Sequence, residues 1–438
     1  MKTGTLELFS NDLEAVFIRR PNRFLIIAGA EGREIACHCP NPGRLIEFVF
    51  PGMPLILEKR AAGDKAGTTK PAPKTGYTAA GIRYRDAVVP LFASRANKAA
   101  EKLILDKIIP GLKEIHREYS LGNSRFDFLC IDDRGKRHLV EVKACSLVEY
   151  GVAMFPDAPS DRALKHLEEL AELSRQGYCC HVLFVVVHGS PEQFIPNLHT
   201  DPAFAAALSR LCSPAGLGPV GLGPVGLGSI ELGSIELGPV GLGSIGLGPV
   251  GLGSIELGSI EPEVAVHAAL FHCNAQGIAS LVRSDLPVDL SHGALAESDG
   301  GNYLLVLELP KAQQVEVGAL GSIGFKQGWY VYTGSARKNL ARRLARHLRK
   351  LRKQKHWHID YLTPFTGRMK ALPIMSYRNL ECELARELAA LGGAPVAGFG
   401  CSDCGCFSHL YYFPEPPLGN RAFVDMLLRY RHRVFQDR

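Results

Sequence analysis

The chain has 438 residues, of which 46% are apolar and 21% charged, with a net charge of +6. That length exceeds one ordinary domain, so two or three are expected, with enough apolar residues to pack a core in each. Twelve cysteines in a chain this long argue against a secreted disulfide scaffold. The opening MKTGTLELFSNDLEAVFIRR lacks the apolar core of a signal peptide, and no apolar span reaches the roughly 18 residues of a membrane helix, so a cytoplasmic protein without a membrane partner is expected.

Residues 1–95 read as short β segments, AVFIRR, RFLIIAG, REIACHC, PLILEKR and AVVPLFAS. Turn signals at Gly32 and Pro40-Asn41-Pro42-Gly43 separate them, and the 62–76 tract, rich in Lys, Pro, Gly and Thr, reads as a loop. So many short strands predict a small OB-like β-barrel.

Residues 96–213 change character. Ala96–Ile109 has helical spacing, with Ala99, Leu103, Ile104 and Ile108 on one side. Strands follow at 124–131 and 137–145 around the turn Asp132–Lys136. Asp161–Gln176 reads as a helix with Ser160 at its N-cap and Gly177 past its end. CCHVLFVVVH is a continuous apolar run suited to a strand covered on both faces. The order is that of an α/β layer domain.

Strand alternation puts Phe126 and Phe128 on one face and Asp127 on the other. On the next strand Val140, Val142 and Ala144 share one face, Glu141 and Lys143 the opposite one. Two carboxylates and a lysine on one side of a hairpin suit a metal-dependent phosphodiesterase. The carboxylates hold Mg²⁺ (or Mn²⁺), the metal lowers the pKa of its water, and the lysine orients that water or neutralises developing charge. Glu101 and Glu118 lie upstream, and Glu118 is the preferred further metal ligand. The plainer alternative is a solvated strand face.

From Gly216 to Ile260 run nine tandem pentapeptides of the form (G/E)-L-G-(P/S)-(V/I). Recurrent Gly and Pro oppose helix and regular sheet. Residues 214–262 therefore read as a flexible repeat linker, grown by duplication rather than shaped as an elastin-like spacer. It spans about 35–40 Å as a coil and leaves 1–215 and 262–438 to fold separately.

The last domain, 263–438, holds GNYLLVLEL and WYVYTGSARKNLARRLARHLRK. A strand carrying Tyr303 precedes one ending at Tyr332-Thr333-Gly334, and a basic helix follows. Between Arg337 and Lys355 there are ten Lys or Arg and no Asp or Glu, a block able to attract a phosphate backbone. Arg343 and His347 share a helix face. An arginine can hold a phosphate bidentately, and a tyrosine can orient a metal-bound water or act as its base. Core packing with a satisfied hydroxyl is the alternative for both tyrosines. His356 and His358, with Trp357 and Asp360, could join such a site or stack on a base. Cys401, Cys404, Cys406 and His409 are zinc-type ligands within nine residues. So compact a string closes a tetrahedral site poorly, and a turn of buried thiols is preferred to structural Zn²⁺.

The segments RFLIIAG, HCPNPG, HREYSLGNSRFDFL, VEVKACSL, FPDAPSDRALKHLEEL and DPAF, in that order over residues 1 to about 213, together resemble the sugar fermentation stimulation protein A family. The resemblance implies an OB-like first half, a PD-(D/E)xK nuclease-like second half and association with DNA. It carries metal ligands onto Asp127 and Glu141 and the motif lysine onto Lys143. Arg162, Lys165 and His166 match its helix, where a polar face suits phosphate contact. The stretch Asn41-Pro42-Gly43-Arg44-Leu45 departs from the family's NTGSM-like loop.

Gly301-Asn302-Tyr303 and Tyr332-Thr333-Gly334 resemble the two motifs of the GIY-YIG nuclease superfamily, the first in degenerate form. HWHIDYL, ECELA and FGCSDCGCFSHL are similar to a GIY-YIG-like family over about residues 285–415. That resemblance implies an α+β domain with Tyr303, Tyr332, Arg343 and Glu381 in catalytic positions and Glu381 as metal ligand with Glu383 its rival. Arg346 and His347, on the basic helix with Arg343, are expected nucleic-acid contacts. The expected whole is a multidomain DNA-acting protein hydrolysing phosphodiester bonds. RNA stays open as substrate, and no pattern sets the oligomeric state. The alternative is a non-catalytic DNA-binding regulator linked to sugar metabolism.

Overall fold

The computed structural model describes residues 4–60, 75–85, 87–122, 124–212, 263–350 and 354–436. The repeat linker and nearly all of the 62–76 loop lie outside the described residues.

The expected barrel is present. Strands β2 (Leu13–Asn22), β3 (Leu25–Ala30), β4 (Arg33–His38), β5 (Pro54–Lys59) and β6 (Tyr77–Tyr84) run in the order β4-β3-β2-β5-β6. The ring closes where Cys37 and His38 pair with Tyr77 and Thr78, and β7 (Ala87–Pro90) lines the outside of β6. Phe17, Ile26, Phe48 and Leu55 fill the interior of the ring. The departing loop has its own logic. The Arg20 guanidinium donates to the carbonyls of Arg23, Asn41, Gly43 and Arg44. A Cβ at Gly43 would fall 1.9 Å from an Asp157 oxygen, so only glycine fits there.

A seven-stranded sheet forms the centre. It contains β8 (Leu112–Leu121), β9 (Ser124–Asp132), β10 (Arg137–Cys145) and β11 (Cys179–Val186). Helix α1 (Ala96–Leu103) covers one face, and α2 (Asp161–Arg175) with α3 (Pro202–Cys212) covers the other. The helix expected over Ala96–Ile109 breaks at Ile104, which leaves helical geometry, and resumes for one turn. Ser160 caps α2 as expected, accepting from the Ala163 N–H at 3.2 Å. β11 is buried on both faces, with Val182 and Phe184 towards α2 and α3 and Leu183 and Val185 towards α1.

The sheet contradicts the expected boundaries. β11 pairs in parallel with β10 on one edge and, on the other, with β12 (Ala265–Cys273), which lies beyond the linker. β13 (Ile278–Arg283) follows, and β1 (Thr5–Glu7) closes the far edge instead of joining the barrel. Residues 263–283 thus belong with 96–213, and the linker interrupts a unit instead of dividing two. The reason is main-chain pairing, because a buried strand needs a partner on both edges. The linker's ends are neighbours, with the Val264 N–H bonded to the Leu211 carbonyl at 3.2 Å.

The remaining chain forms a five-stranded antiparallel sheet. β14 (Gly301–Leu309) lies between β15 (Gly328–Ala336) and β16 (Met369–Met375), and β17 (Leu410–Phe413) pairs beyond β15. Helices α4 (Leu340–Leu348), α5 (Glu381–Ala390) and α6 (Arg421–Arg433) complete an α+β unit. This unit packs on the first. Phe50, Leu147, Met154 and Leu198 share one apolar cluster with Leu304, Leu427 and Tyr430. His199 joins the units by two bonds of 2.9 Å, donating from Nε2 to the Arg431 carbonyl and accepting at Nδ1 from the Met375 N–H. Among the described residues, no helix is long and apolar enough to cross a membrane.

Three imidazoles form a ladder across the central strands. His138 lies 3.0 Å from His181, and His181 lies 3.1 Å from His267. Burial holds His181 down at about 3 and His267 at about 4, and it holds His188, beside the barrel's Phe48, at about 3. The unfolded chain takes up these protons near pH 6.5, whereas the native chain refuses them until pH 3–4. Their contribution to stability is therefore complete above about pH 6.5 and is lost on acidification, by up to about 1.4 kcal/mol per pH unit for each group. Denaturant midpoints between pH 7 and pH 4 are expected to fall, with a shallower slope in His181→Gln. Parallel pH profiles for the two proteins would remove the histidines from the explanation.

Deleting residues 216–260 is expected to preserve cooperative melting, with a gain of at most about 2 kcal/mol from the shorter loop. A chain ended at Cys212 should aggregate because the β11 edge is left bare. A soluble, cooperatively melting 1–212 fragment would refute the shared sheet.

Candidate functional sites

The first site lies where two strands part. β9 and β10 pair from Arg137↔Ile131 to Val140↔Phe128. At the next position the Asp127 carboxylate replaces a backbone partner, accepting from the Val142 N–H at 2.7 Å and from Asn97 Nδ2 on α1 at 2.7 Å. Alternation breaks there. Phe126 packs in the cluster under α2 and Phe128 in the cluster under α1, so the two do not share a face as expected.

Glu141 and Lys143 face α2. Glu141 Oε1 is 2.5 Å from Lys143 Nζ and 2.7 Å from His166 Nδ1. Its other oxygen, Oε2, is buried without a partner. Burial alone would raise the Glu141 pKa, but the His166 bond and the Lys143 charge outweigh it and hold the carboxyl below its ordinary value. Asp127 is pushed up, first by burial and then by repulsion from Glu141. A repelling carboxylate pair with one unused oxygen is a fitting cradle for a hard divalent cation.

Other expectations for this site are corrected. Glu118 is exposed and bonds to Arg125 Nε at 3.0 Å, which turns it from the carboxylate pair, and Glu101 is taken by Arg117 at 2.7 Å. His166 is buried, so it supports Glu141 and does not present a nucleic-acid contact. Arg162 and Lys165 are exposed, with Lys165 Nζ 3.5 Å from Glu169. Asn97 carried no sequence signal.

The second site rests on a register. Tyr303 lies opposite Gly334, and Leu305 opposite Tyr332, so both tyrosines stand on one face of the sheet. A Cβ at Gly334 would come within 2.3 Å of the Tyr303 hydroxyl, which explains the glycine. The hydroxyl meets His347 Nε2 at 2.9 Å. Burial raises both phenols well above the ordinary value, keeping them protonated.

Arg343 donates to the Ser335 carbonyl at 2.5 Å and lies over the Trp357 ring. Glu381 opens α5, with Oε2 accepting from Ser335 Oγ at 2.7 Å and Oε1 2.9 Å from His409 Nδ1. Tyr303, Tyr332, Arg343, Glu381, His356 and His358 line one cleft of about 290 Å³. The structure thus gathers the four residues that motif matching pointed to. The rival Glu383 is turned to Arg433, 3.2 Å away.

The neighbours differ from expectation. His347 is fully buried beneath the cleft, so it partners Tyr303 and does not form a nucleic-acid surface. Arg346 is engaged by Asp360 at 2.9 Å and by the Gln354 carbonyl at 2.6 Å. His356 is exposed, and His358 Nδ1 accepts from the Gly400 N–H at 2.9 Å. Cys404, Cys406 and His409 gather with Cys382 of α5, and Cys401 is not part of the group. Ser335 and Cys382 were missed, although Cys382 sits beside Glu381 in ECELA.

Family models match residues 18–91 as the SfsA N-terminal OB domain and residues 94–216 as the sugar fermentation stimulation protein RE domain. A third, a domain of unknown function (DUF123), matches residues 302–430. A sugar fermentation stimulation protein homolog of Methanothermobacter thermautotrophicus is 36% identical over 206 residues, covering 46% of this chain and 82% of that protein. One from Pyrobaculum arsenaticum is 37% identical over 203 residues, covering 46% and 83%. A solved structure described as Pyrococcus furiosus SfsA in complex with Ca²⁺ aligns with a TM-score of 0.47 and 24% identity, over 65% of this chain and 99% of that one.

Gly334→Ala is expected to push Tyr303 off His347 and to cost about 1–3 kcal/mol by overpacking. Thermal melting and the Tyr303 environment in NMR spectra read both effects, and an unchanged melting point would show that the phenol has room.

Proposed function

The chain belongs to the sugar fermentation stimulation protein family, and on that footing we propose that it binds DNA and hydrolyses phosphodiester bonds with a divalent cation. The observation carrying this reading is the buried, unpartnered Glu141 Oε2 beside Asp127 and Lys143. Asp127 and Glu141 would hold Mg²⁺ or Mn²⁺, which when bound supplies a water of lowered pKa and neutralises phosphate charge. Lys143 orients the attacking water or stabilises the charge that develops on phosphate, and His166 keeps Glu141 in place. In the second cleft Arg343 would bind the scissile phosphate, Tyr303 and Tyr332 would orient water through protonated hydroxyls, and Glu381 is the residue that would hold a cation. The exposed Arg337, Lys338, Arg342 and Arg349, close to Arg343 along the chain, would with Arg162 and Lys165 in the first unit supply charge to a phosphate backbone.

A second reading, DNA binding without cleavage at the second cleft, is favoured by one observation. Both Glu381 oxygens are already bonded, to Ser335 and His409.

The test incubates the purified chain with branched, single-stranded and double-stranded DNA, and with RNA, in Mg²⁺ or Mn²⁺. Lys143→Ala and Arg343→Ala are each expected to lose about 10²–10³-fold at their own site. Binding without metal-dependent cleavage of any substrate would defeat the hydrolytic reading. Cleavage unaffected by Arg343→Ala would leave the second unit as a binding module, and preferential cleavage of RNA would replace the DNA assignment.

A further inference from the structure

The cysteine cluster is built from two distant stretches. Cys382 lies in the first turn of α5, and Cys404, Cys406 and His409 lie in the loop leading into β17. One ligand atom from each of the four falls within 4.8 Å of all the others. Two of the separations are closer still, with Cys404 Sγ 3.5 Å and Cys382 Sγ 3.9 Å from His409 Nε2. An ion bound at about 2.3 Å from sulfur and about 2.0–2.1 Å from nitrogen in tetrahedral geometry requires S···N edges of about 3.6 Å and S···S edges of about 3.8 Å. The two S···N separations are thus close to the edges such an ion needs, and the remaining ones lie within 4.8 Å.

The histidine is oriented for the same purpose. Nε2 faces the thiols, while Nδ1 is 2.9 Å from Glu381 Oε1. A carboxylate on the far nitrogen fixes the ring and its tautomer, the usual outer partner of a metal-bound imidazole. The backbone is fixed as well, because the His409 N–H donates to the Phe399 carbonyl and its own carbonyl accepts from the Thr333 N–H. Three thiols and one imidazole are a soft donor set that closes four-coordinate sites.

We propose that Cys382, Cys404, Cys406 and His409 bind one Zn²⁺ in a closed structural site that positions Glu381 through His409. The ion ties the loop before β17 to the start of α5, next to the cleft that Glu381 lines. Zinc binding requires no hydrolytic activity, so the site stands or falls apart from the proposed nuclease function. His409 is a positioning residue, since it touches Glu381 and not a substrate.

The full chain, purified reduced from zinc-supplemented cells, is expected to carry one equivalent of zinc. Replacement by Co²⁺ should give the intense visible bands of a tetrahedral thiolate site. Cys404→Ser and Cys406→Ser should lose the metal, whereas Cys401→Ser, in the same loop but outside the group, should keep it. Glu381→Gln should lose zinc to a chelator about 10–100-fold more readily, because the outer partner of His409 is weakened. Reduced wild-type protein with no metal and only the weak spectrum of octahedral cobalt would overturn the site, even if the serine variants misfold. Equal loss in Cys401→Ser and Cys404→Ser, or a bound iron centre instead of zinc, would do the same. Unchanged zinc retention in Glu381→Gln would sever the link to the cleft.

Discussion

β11 is apolar on both faces, so neither its side chains nor its main chain can turn to water. Its N–H and carbonyl groups must be paired along both edges, and in this fold β10 satisfies one edge and β12 the other. β10 is the strand that carries Glu141 and Lys143, so the site is anchored by the most buried strand of the sheet. β12 arrives only after the repetitive stretch. Because the entropy of closing a loop grows only logarithmically with its length, a long insertion between α3 and β12 is tolerated without moving either element. The adjacency of Leu211 and Val264 is the local sign of this arrangement.

Both candidate sites hold a carboxylate withdrawn from water, Glu141 buried and Glu381 half-buried. A buried carboxylate costs several kcal/mol unless it is paired and hydrogen-bonded. At Glu141 the compensation is uneven, with Lys143 and His166 crowding one oxygen and leaving the other unpartnered. At Glu381 both oxygens are bonded, one of them to a histidine whose second nitrogen faces three thiols. The first arrangement leaves a place for a cation against the carboxylate itself. In the second, positive charge would act through the imidazole and tether the carboxylate beside Tyr303 and Arg343.

The two units are not beads on a string. Arg421 of α6 reaches the Tyr84 hydroxyl of the barrel at 2.8 Å, and Tyr84 in turn bonds to Glu149 at 2.7 Å. His199 is fully buried between backbone groups of the second unit, and burial keeps it neutral and its tautomer fixed. Contacts of this kind, and not the reach of a coil, set how the units sit against each other.

Local pattern was enough for much of this. The succession of short β segments between turn signals over residues 1–95 led to the barrel, and the apolar run at 179–186 led to a strand covered on both faces. Ser160 and Gly177 marked the limits of α2, while Tyr303, Tyr332, Arg343 and Glu381 came from the resemblance to GIY-YIG motifs and not from local pattern. What local pattern missed was partnership. Nothing local marks β12 as a continuation of the central sheet, His166 and His347 look like surface ligands although both are buried bonding partners, and spacing does not separate Cys401 from the thiols that gather around Cys382. Periodicity reports which side of one segment avoids water, and a motif reports residue type at a fixed spacing. Which distant strand satisfies an edge, or which imidazole meets a carboxylate, depends on the path of the whole chain. Composition and period determined the elements and the kinds of chemistry available here, and tertiary pairing alone decided which atoms meet, because the cost of leaving a buried polar group unpaired is settled only between segments far apart in sequence.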